Sequence, residues 1–353
     1  MGGGGLVSTD GGYINYDKRT LLEVYYELIK NNEKVTIAII PAHHINRLEN
    51  TNNIFPLGGV SNYKTIHCNE NGYYSIYHSD RYGFNNPDEE WDGKEIEYLL
   101  VGDSFTHGEC VNRPNDISSV LRNLSQKKVL NLGYSGNGPL IEYATLREYL
   151  KPNVRKVLWV YYEGNDLVVD LRSELKSKLL KKYLDDINFY QNLISKQNQN
   201  DILLLEIINK SYNLKYSWYE KPIFKFIKLF DTRSKVVEYF KMRELLNQRQ
   251  ESKNIHQEFK KILYLANDLA VKNNSKLYFV YLPSFNSYKD GKDFEKKKIK
   301  KIVNDLNIPF IDIDGEVFKN ESNPLKLFPF EQHGHYNLEG YTKTALKIYE
   351  KTK

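Results

Sequence analysis

Residues 98–111, YLLVGDSFTHGECV, decide how the chain is interpreted. An apolar run typical of a buried strand stops at Gly102-Asp103-Ser104, and a small polar loop with His107 follows. Ser104 has two interpretations. It belongs to the cap of a following helix, because Asp and Ser both favour that position, or it is a nucleophile exposed at the end of a strand.

Composition limits the classes of protein that fit. The chain has 353 residues, of which 41% are hydrophobic, enough for one large domain or two ordinary ones. No stretch approaches the roughly 20 apolar residues of a membrane span, and no secretory signal is visible. The net charge of +5 comes mostly from Lys in predicted helices such as residues 292–306. This pattern is typical of a solvated helix face, so we expect no nucleic-acid partner.

The first residues and the two cysteines leave alternatives open. Four glycines follow Met1, and residues 1–12 are predicted to be disordered or an added or trimmed terminus. A natural N-terminal anchor stays an alternative, and with it membrane proximity. We favour a periplasmic or cell-envelope location over a cytoplasmic one. Cys68 and Cys110 lie too far apart for a metal knuckle, so they are two thiols or one disulfide.

The order of patterns predicts three regions besides the tail. Residues 13–95 form an N-terminal cap with a helix, a strand and short strand-like pieces. Residues 96–169 and 255–353 form the main domain. Residues 170–254 form a helical, Lys-rich insertion, interpreted as a structural flap, with a lid or a membrane-facing or partner-facing surface as alternatives.

The main domain alternates short apolar strands with amphipathic helices. Five predicted strands lie within residues 95–103, 128–133, 154–166, 276–284 and 308–314. This rhythm is typical of βαβ units with right-handed crossovers. It predicts an α/β fold: a three-layer, flavodoxin-like, doubly wound parallel sheet. In such sheets the site lies beyond the carboxyl ends of the strands.

Four polar or Gly-rich clusters fall at this edge. They are GDSFTHG (102–108), NLGYSGNG (131–138), EGND (163–166) and HYNLEGY (335–341). Each alone is explained by a cap or a turn. Together, and in this order, they resemble the SGNH, or GDSL, hydrolase family over residues 96–175 and 255–353. The chain is similar to members associated with O-acetyl modification of bacterial polysaccharides.

The chemistry of these residues agrees with that resemblance. A serine hydroxyl needs a base to take its proton, and His335, just before the last helix, is the candidate base for Ser104. The resemblance implies an oxyanion hole of the Ser104 N–H, the Gly136 N–H and the Asn165 side chain. Gly133 is the rival of Gly136.

The sequence departs from the family where an Asp is expected three residues before the histidine. Gln332 occupies that position, and Glu331 lies one residue further away. We therefore expect either Glu331 to orient His335 or a backbone carbonyl to do so, which leaves a Ser–His dyad. His333 is disfavoured as the base because Phe330 stands three residues before it.

The remaining candidates are weaker. His107, Asp103 and Asp166 are candidates for substrate contact, with hydrogen bonds to neighbouring backbone amides as the alternative for the two aspartates. His43 and His44 lack companions at ligand spacing, so neither a metal nor another cofactor is expected.

The predicted function is a serine esterase acting on acyl esters, first of all O-acetyl esters, of a carbohydrate. Two alternatives remain: a glycan O-acetyltransferase with the same serine and histidine, and a non-catalytic glycan-binding relative.

Overall fold

The computed structural model describes residues 5–9, 12–31, 33–45, 48, 54–214, 248–292 and 294–353. Its N-terminal part contains β1 (Gly5–Thr9), β2 (Gly12–Tyr16), α1 (Leu21–Lys30), β3 (Val35–Ile37), β4 (Lys64–Ile66) and β5 (Ile76–His78). Strand β4 pairs parallel with β3 and antiparallel with β5, so the cap contains a small mixed sheet.

The main domain contains a five-stranded parallel sheet. Its strands are β6 (Ile96–Gly102), β7 (Val129–Asn131), β8 (Val154–Tyr162), β9 (Lys276–Leu282) and β10 (Phe310–Asp312), in the spatial order β7-β6-β8-β9-β10. The order reverses once, between β6 and β8, as in a doubly wound sheet. The predicted fold class is confirmed. The strands are almost wholly buried because both faces of the sheet are covered.

Helices form the two outer layers. They are α2 (Ser104–His107), α3 (Ile117–Ser125), α4 (Pro139–Tyr149), α5 (Arg172–Glu174), α6 (Lys178–Asp185), α7 (Gln197–Tyr212), α8 (Gln248–Lys272), α9 (Phe285–Lys289), α10 (Lys296–Asp305), α11 (Ile313–Glu316) and α12 (Leu338–Thr352). Side chains of α4, α8 and α10 pack into one apolar cluster with one face of the sheet. Side chains of α3 and α12 pack into a second cluster with the other face. The three layers expected from the sequence are present.

The described part of the predicted insertion is packed on the main domain. Leu180 and Tyr183 of α6 and Leu204 and Ile207 of α7 are buried in the same apolar cluster as the sheet. Residues 215–247 of the predicted insertion lie outside the described residues. Within the described ranges, no helix combines the length and the apolar character needed to cross a membrane.

The first residues differ from expectation. Residues 1–12 were predicted to be a disordered or added tail, but β1 and β2 pair antiparallel as a hairpin that begins at Gly5. This pairing uses backbone groups, which a Gly-rich sequence supplies as well as any other. Residues 5–9 and 12 therefore have regular structure, and an added or trimmed terminus stays a prediction.

A disulfide and several hydrogen bonds join the cap to the loop that follows Ser104. Cys68 and Cys110 form a disulfide, with Cα atoms 5.1 Å apart. The Asn71 side chain donates to the Cys110 carbonyl at 3.1 Å, and the Ile76 N–H donates to the Asn112 side chain at 2.8 Å. The disulfide alternative left open by the sequence is the one observed.

We expect the disulfide to stabilise the protein mainly by restricting the unfolded chain. The two cysteines are 42 residues apart, so replacing both by serine should lower the free energy of unfolding by about 2 to 4 kcal/mol. Denaturant unfolding of the double variant, with the oxidised and the reduced wild type beside it, measures this. Equal midpoints for all three proteins would contradict the expectation.

Candidate active site

The sheet presents Ser104 directly beyond the carboxyl end of a central strand. Strand β6 ends at Gly102, and Ser104 is the first residue of the one-turn helix α2. The cap of that helix is Asp103, whose carboxylate accepts a hydrogen bond from the Phe105 N–H at 2.9 Å. Both interpretations of the motif therefore apply, to different residues: Asp103 caps the helix, and the Ser104 hydroxyl is left to contact a base.

His335 supplies that base. Its Nε2 lies 2.9 Å from the Ser104 Oγ. The ring packs against Phe105, with centroids 4.8 Å apart. The next residue, Tyr336, holds the loop that contains His335 against the end of β9, because its hydroxyl donates to the Pro283 carbonyl at 2.6 Å. The two residues that the sequence proposed as nucleophile and base are brought within hydrogen-bond distance.

Glu70, from the cap, binds the other side of the imidazole. One carboxylate oxygen, Oε2, accepts a hydrogen bond from the His335 backbone N–H at 2.7 Å and lies 3.0 Å from Nδ1. A carboxylate at Nδ1 favours the tautomer whose Nε2 can take a proton from serine. The approach depends on Gly334, because a Cβ there would come within 2.7 Å of the same oxygen.

Glu331, expected as the orienting carboxylate, lies elsewhere. It is exposed, and its carboxylate accepts a hydrogen bond from the Asn323 side chain at 3.2 Å. Gln332 is exposed as well. The position at Nδ1 belongs to Glu70, which is 265 residues away from His335 in the chain. A spacing rule confined to the loop before the histidine could not find it.

A second carboxylate, that of Glu109, stands near the reacting nitrogen. Its Oε2 lies 3.7 Å from His335 Nε2 and accepts a hydrogen bond from the Ser135 hydroxyl at 2.6 Å. Its Oε1 lies 3.6 Å from Nδ1 of His67. Apart from its place in the Ser104 loop, no sequence feature pointed to this residue.

The carboxylates determine the charge of the histidine. Burial lowers the pKa of His335, but Glu109, Glu70 and Asp103 outweigh burial and raise it to about 9. Burial raises the pKa of Glu109, but His67, His335 and Ser135 outweigh it and lower that pKa to about 2. Burial also lowers the pKa of His67. An imidazolium between ionised carboxylates is therefore favoured at neutral pH.

The proposed oxyanion residues flank Ser104 in the sheet order. Gly136 follows β7 and Asn165 follows β8, the two neighbours of β6. Gly136 has a φ of 75°, and a Cβ there would come within 2.4 Å of Ile40. The Asn165 amide donates one hydrogen bond to the Asp170 carboxylate, and an amide nitrogen carries two donors.

Gly133, the rival of Gly136, has a packing role. A Cβ on Gly133 would come within 2.5 Å of the Thr106 side chain. The glycine therefore allows the loop after β7 to pack against α2.

The three weaker candidates for substrate contact bind the protein itself. His107 is buried, its ring packs against His67, and its Nδ1 lies 3.4 Å from the Gly133 carbonyl. Asp166 is buried and accepts a hydrogen bond from the Tyr162 N–H at 2.7 Å. Asp103 caps α2. The backbone-binding alternative fits both aspartates, and substrate contact by any of the three residues stays a prediction.

Two groups of potential metal ligands occur in the part of the chain that the structure describes. They are His67, Cys68 and Glu109, and Glu70, Cys110 and His335. Each group includes one sulfur of the disulfide, which is not a thiolate. The other four side chains belong to the hydrogen-bond and ion-pair network described above.

Comparisons with known proteins give distant structural likenesses. No protein-family profile and no curated protein matches the chain. A solved structure from Desulfitobacterium hafniense, described as a lipolytic protein of the G-D-S-L family, is 14% identical, with a TM-score of 0.40, over 72% of this chain and 99% of its own. An acetyl xylan esterase has the same four values.

A third likeness is a carbohydrate esterase family 2 enzyme with a carbohydrate-binding domain from Corynascus thermopiles. It is 10% identical, with a TM-score of 0.36, over 80% of this chain and 70% of its own. At such distances a likeness carries no functional assignment, so the function has to be inferred from the site.

The charges around His335 make its titration a direct test of the geometry. We expect its imidazole to titrate near pH 9, against about 6.5 for an isolated histidine. Glu70→Gln and Glu109→Gln should each lower the pKa, because each removes a negative charge that stabilises the imidazolium. NMR of labelled histidine, assigned with His335→Gln, measures this. A wild-type pKa at or below 6.5 would contradict the described environment.

Proposed function

We propose that the protein is a serine esterase of the SGNH type that cleaves acyl esters, first of all O-acetyl esters, of a carbohydrate. The observation that carries the proposal is the continuous chain from Ser104 Oγ through both nitrogens of His335 to Glu70. The acetyl group and the carbohydrate are proposed from the four sequence motifs, which resemble those of glycan-modifying hydrolases.

In the first half-reaction, the neutral form of His335, whose share rises as the pH approaches its pKa of about 9, takes the proton of the Ser104 hydroxyl at Nε2 while Ser104 Oγ attacks the ester carbonyl. The oxyanion forms opposite the Ser104 and Gly136 N–H groups and the Asn165 amide. Removing one such donor typically lowers the rate about a hundred- to a thousand-fold. The Oγ–C bond forms, the bond to the leaving alcohol breaks, and Nε2 returns the proton to that alcohol. Glu70 holds the imidazole in place.

In the second half-reaction, an acceptor hydroxyl attacks the acyl-Ser104 ester. His335 Nε2 takes the proton of that hydroxyl and then gives it to Ser104 Oγ as the Oγ–C bond breaks. With water as acceptor the products are the free enzyme and a carboxylic acid. With a sugar hydroxyl the same steps transfer the acyl group.

We expect Ser104→Ala and His335→Ala each to abolish hydrolysis of a chromogenic acetyl ester, and the double variant to be little worse than either, because the pair acts as a unit. His333→Ala is the matched control. His333 is exposed and its ring faces Phe285, so its activity should stay close to that of the wild type.

A fluorophosphonate probe should label Ser104 stoichiometrically in the wild type and leave Ser104→Ala unlabelled. Full activity in the alanine variant, or labelling at another residue, would contradict the nucleophile assignment. The reverse ranking of the two histidine variants would contradict the base assignment.

The structure places Glu70 at Nδ1 of His335, whereas the sequence motif led us to expect Glu331 there, and mutation of each residue distinguishes the two assignments. Glu70→Gln should lower kcat by about a hundredfold or more, because a neutral amide can stabilise the wrong tautomer of His335. Glu331→Gln makes the same change of charge on an exposed side chain and should keep wild-type activity. Steady-state kinetics of both variants decide this. A larger loss in Glu331→Gln than in Glu70→Gln would overturn the assignment.

A further inference from the structure

Glu109 has no role in the two half-reactions proposed for Ser104 and His335. This carboxylate is not sealed in the core, because its side chain keeps 15% of its surface exposed. Its Oε2 lies 3.7 Å from Nε2 of His335, the nitrogen that moves the proton. Glu70, by contrast, contacts only the opposite nitrogen and the backbone of His335. The two carboxylates therefore face different ends of one imidazole.

The position of Glu109 relative to Ser104 is fixed by several bonds. Its backbone N–H donates to the Ser104 carbonyl at 3.0 Å, and its own carbonyl accepts from the Tyr341 hydroxyl at 3.2 Å. Its carboxylate accepts from the Ser135 hydroxyl at 2.6 Å. The next residue, Cys110, is held by the disulfide. A carboxylate held this firmly beside a reacting nitrogen meets the geometric requirement for a role in the reaction.

Acylation of Ser104 removes the hydrogen-bond donor of one of two neighbouring acceptors, His335 Nε2 and the Glu109 carboxylate. In the free enzyme with a neutral His335, the Ser104 hydroxyl is the partner of Nε2, 2.9 Å away. In the acyl-enzyme the Ser104 oxygen has no proton, so Nε2 needs another donor, and Glu109 Oε2 is 3.7 Å away from it. Hydrogen bonds to oxygen and nitrogen acceptors are each about 2.8 Å long. One oxygen atom can therefore reach both acceptors at once.

We propose that Glu109 is a further catalytic residue, which binds and orients the water molecule that attacks the acyl-Ser104 ester. This inference rests on the proposed serine-esterase function and deepens it. Water has two O–H bonds, one for Nε2 and one for the Glu109 carboxylate. A sugar hydroxyl has a single O–H bond and satisfies only one of the two acceptors. The pair of acceptors therefore favours hydrolysis over acyl transfer to a sugar.

The step balances without any further reactant. The water oxygen forms a bond to the acyl carbon, and one of its protons moves to His335 Nε2. The second proton stays on the oxygen and is hydrogen-bonded to Glu109. The tetrahedral intermediate then loses Ser104 Oγ, which receives the proton from Nε2, and the carboxylic acid leaves. Glu109 ends the cycle as it began, ionised.

The test compares the two half-reactions in Glu109→Gln with p-nitrophenyl acetate. We expect a burst of about one nitrophenol per enzyme at an undiminished rate, because acylation needs only Ser104 and His335. The steady-state rate that follows should fall about tenfold or more, since misplacing a reacting group by about 1 Å can cost a hundredfold in rate. Intact-protein mass spectrometry should show acetyl-Ser104 accumulating. Glu70→Gln is the matched control, and it should slow both phases.

Equal slowing of burst and steady state in Glu109→Gln would overturn the role in deacylation, and so would an unchanged steady state. Labelling of Glu109→Gln by the fluorophosphonate at a rate no lower than that of the wild type shows that the site is intact. If that variant fails to fold, Ser135→Ala takes its place, because it removes the hydroxyl that holds the Glu109 carboxylate. We expect the same selective loss there, smaller in size, and equal slowing would again overturn the inference.

Added oligosaccharide provides a second readout in the wild type. Released acetate should account for all nitrophenol produced, and acetylated oligosaccharide as the main product would overturn the preference for water. Failure of the proposed function looks different. In that case the wild type itself releases no nitrophenol beyond what Ser104→Ala releases, and both proposals fall together.

Discussion

The hydrogen bonds between Glu70 and His335 are the constraint on which the site depends. The histidine belongs to the main domain and the carboxylate to the cap, so the bonds form only if two regions 265 residues apart are held together. The disulfide from Cys68 to Cys110 does this two residues away from Glu70. Gly334 leaves room for the carboxylate at the other end. The cap is therefore part of the site and not an attachment to it.

Two sets of carboxyl groups around Ser104 experience opposite environments. Glu70 and Glu109 lie beside His335, and their pKa values are lowered despite burial. Beside Asn165, burial raises the pKa of Asp170, whose carboxylate accepts a hydrogen bond from the Asn165 amide, to about 7. Ionised groups thus lie beside the imidazole, whereas a carboxyl group that is more readily protonated accepts a hydrogen bond from the amide of the proposed oxyanion hole. The environment, and not the residue type, assigns the roles.

The sequence predicted the parts of the fold and site whose signals are local. Apolar runs that end in Gly-rich or polar clusters predicted the strands of the parallel sheet. The motifs at residues 102–108 and 335–341 predicted the roles of Ser104 and His335. Glu70 could not be predicted in this way, because its role comes from tertiary contacts between the cap and the last loop. The expectation for Glu331 failed because it assumed that the partner of His335 lies in the same loop.

The sequence did contain indirect signals for the missing residue. Cys68 lies two residues before Glu70 and Cys110 lies six residues after Ser104, so a disulfide between them would have brought this carboxylate near the nucleophile. Gly334, directly before His335, indicates a close approach at that backbone position. Neither signal names its partner. The tautomer-fixing contact follows only from the folded chain.

The most direct test of the central claim is a high-resolution structure of the protein after reaction with a small alkyl phosphonate, which mimics the tetrahedral intermediate. We expect phosphorus bonded to Ser104 Oγ, a phosphoryl oxygen facing the Ser104 and Gly136 N–H groups and the Asn165 amide, and the Glu70 carboxylate at His335 Nδ1. A phosphonate on another residue, or Nδ1 of His335 bound to a group other than Glu70, would contradict it.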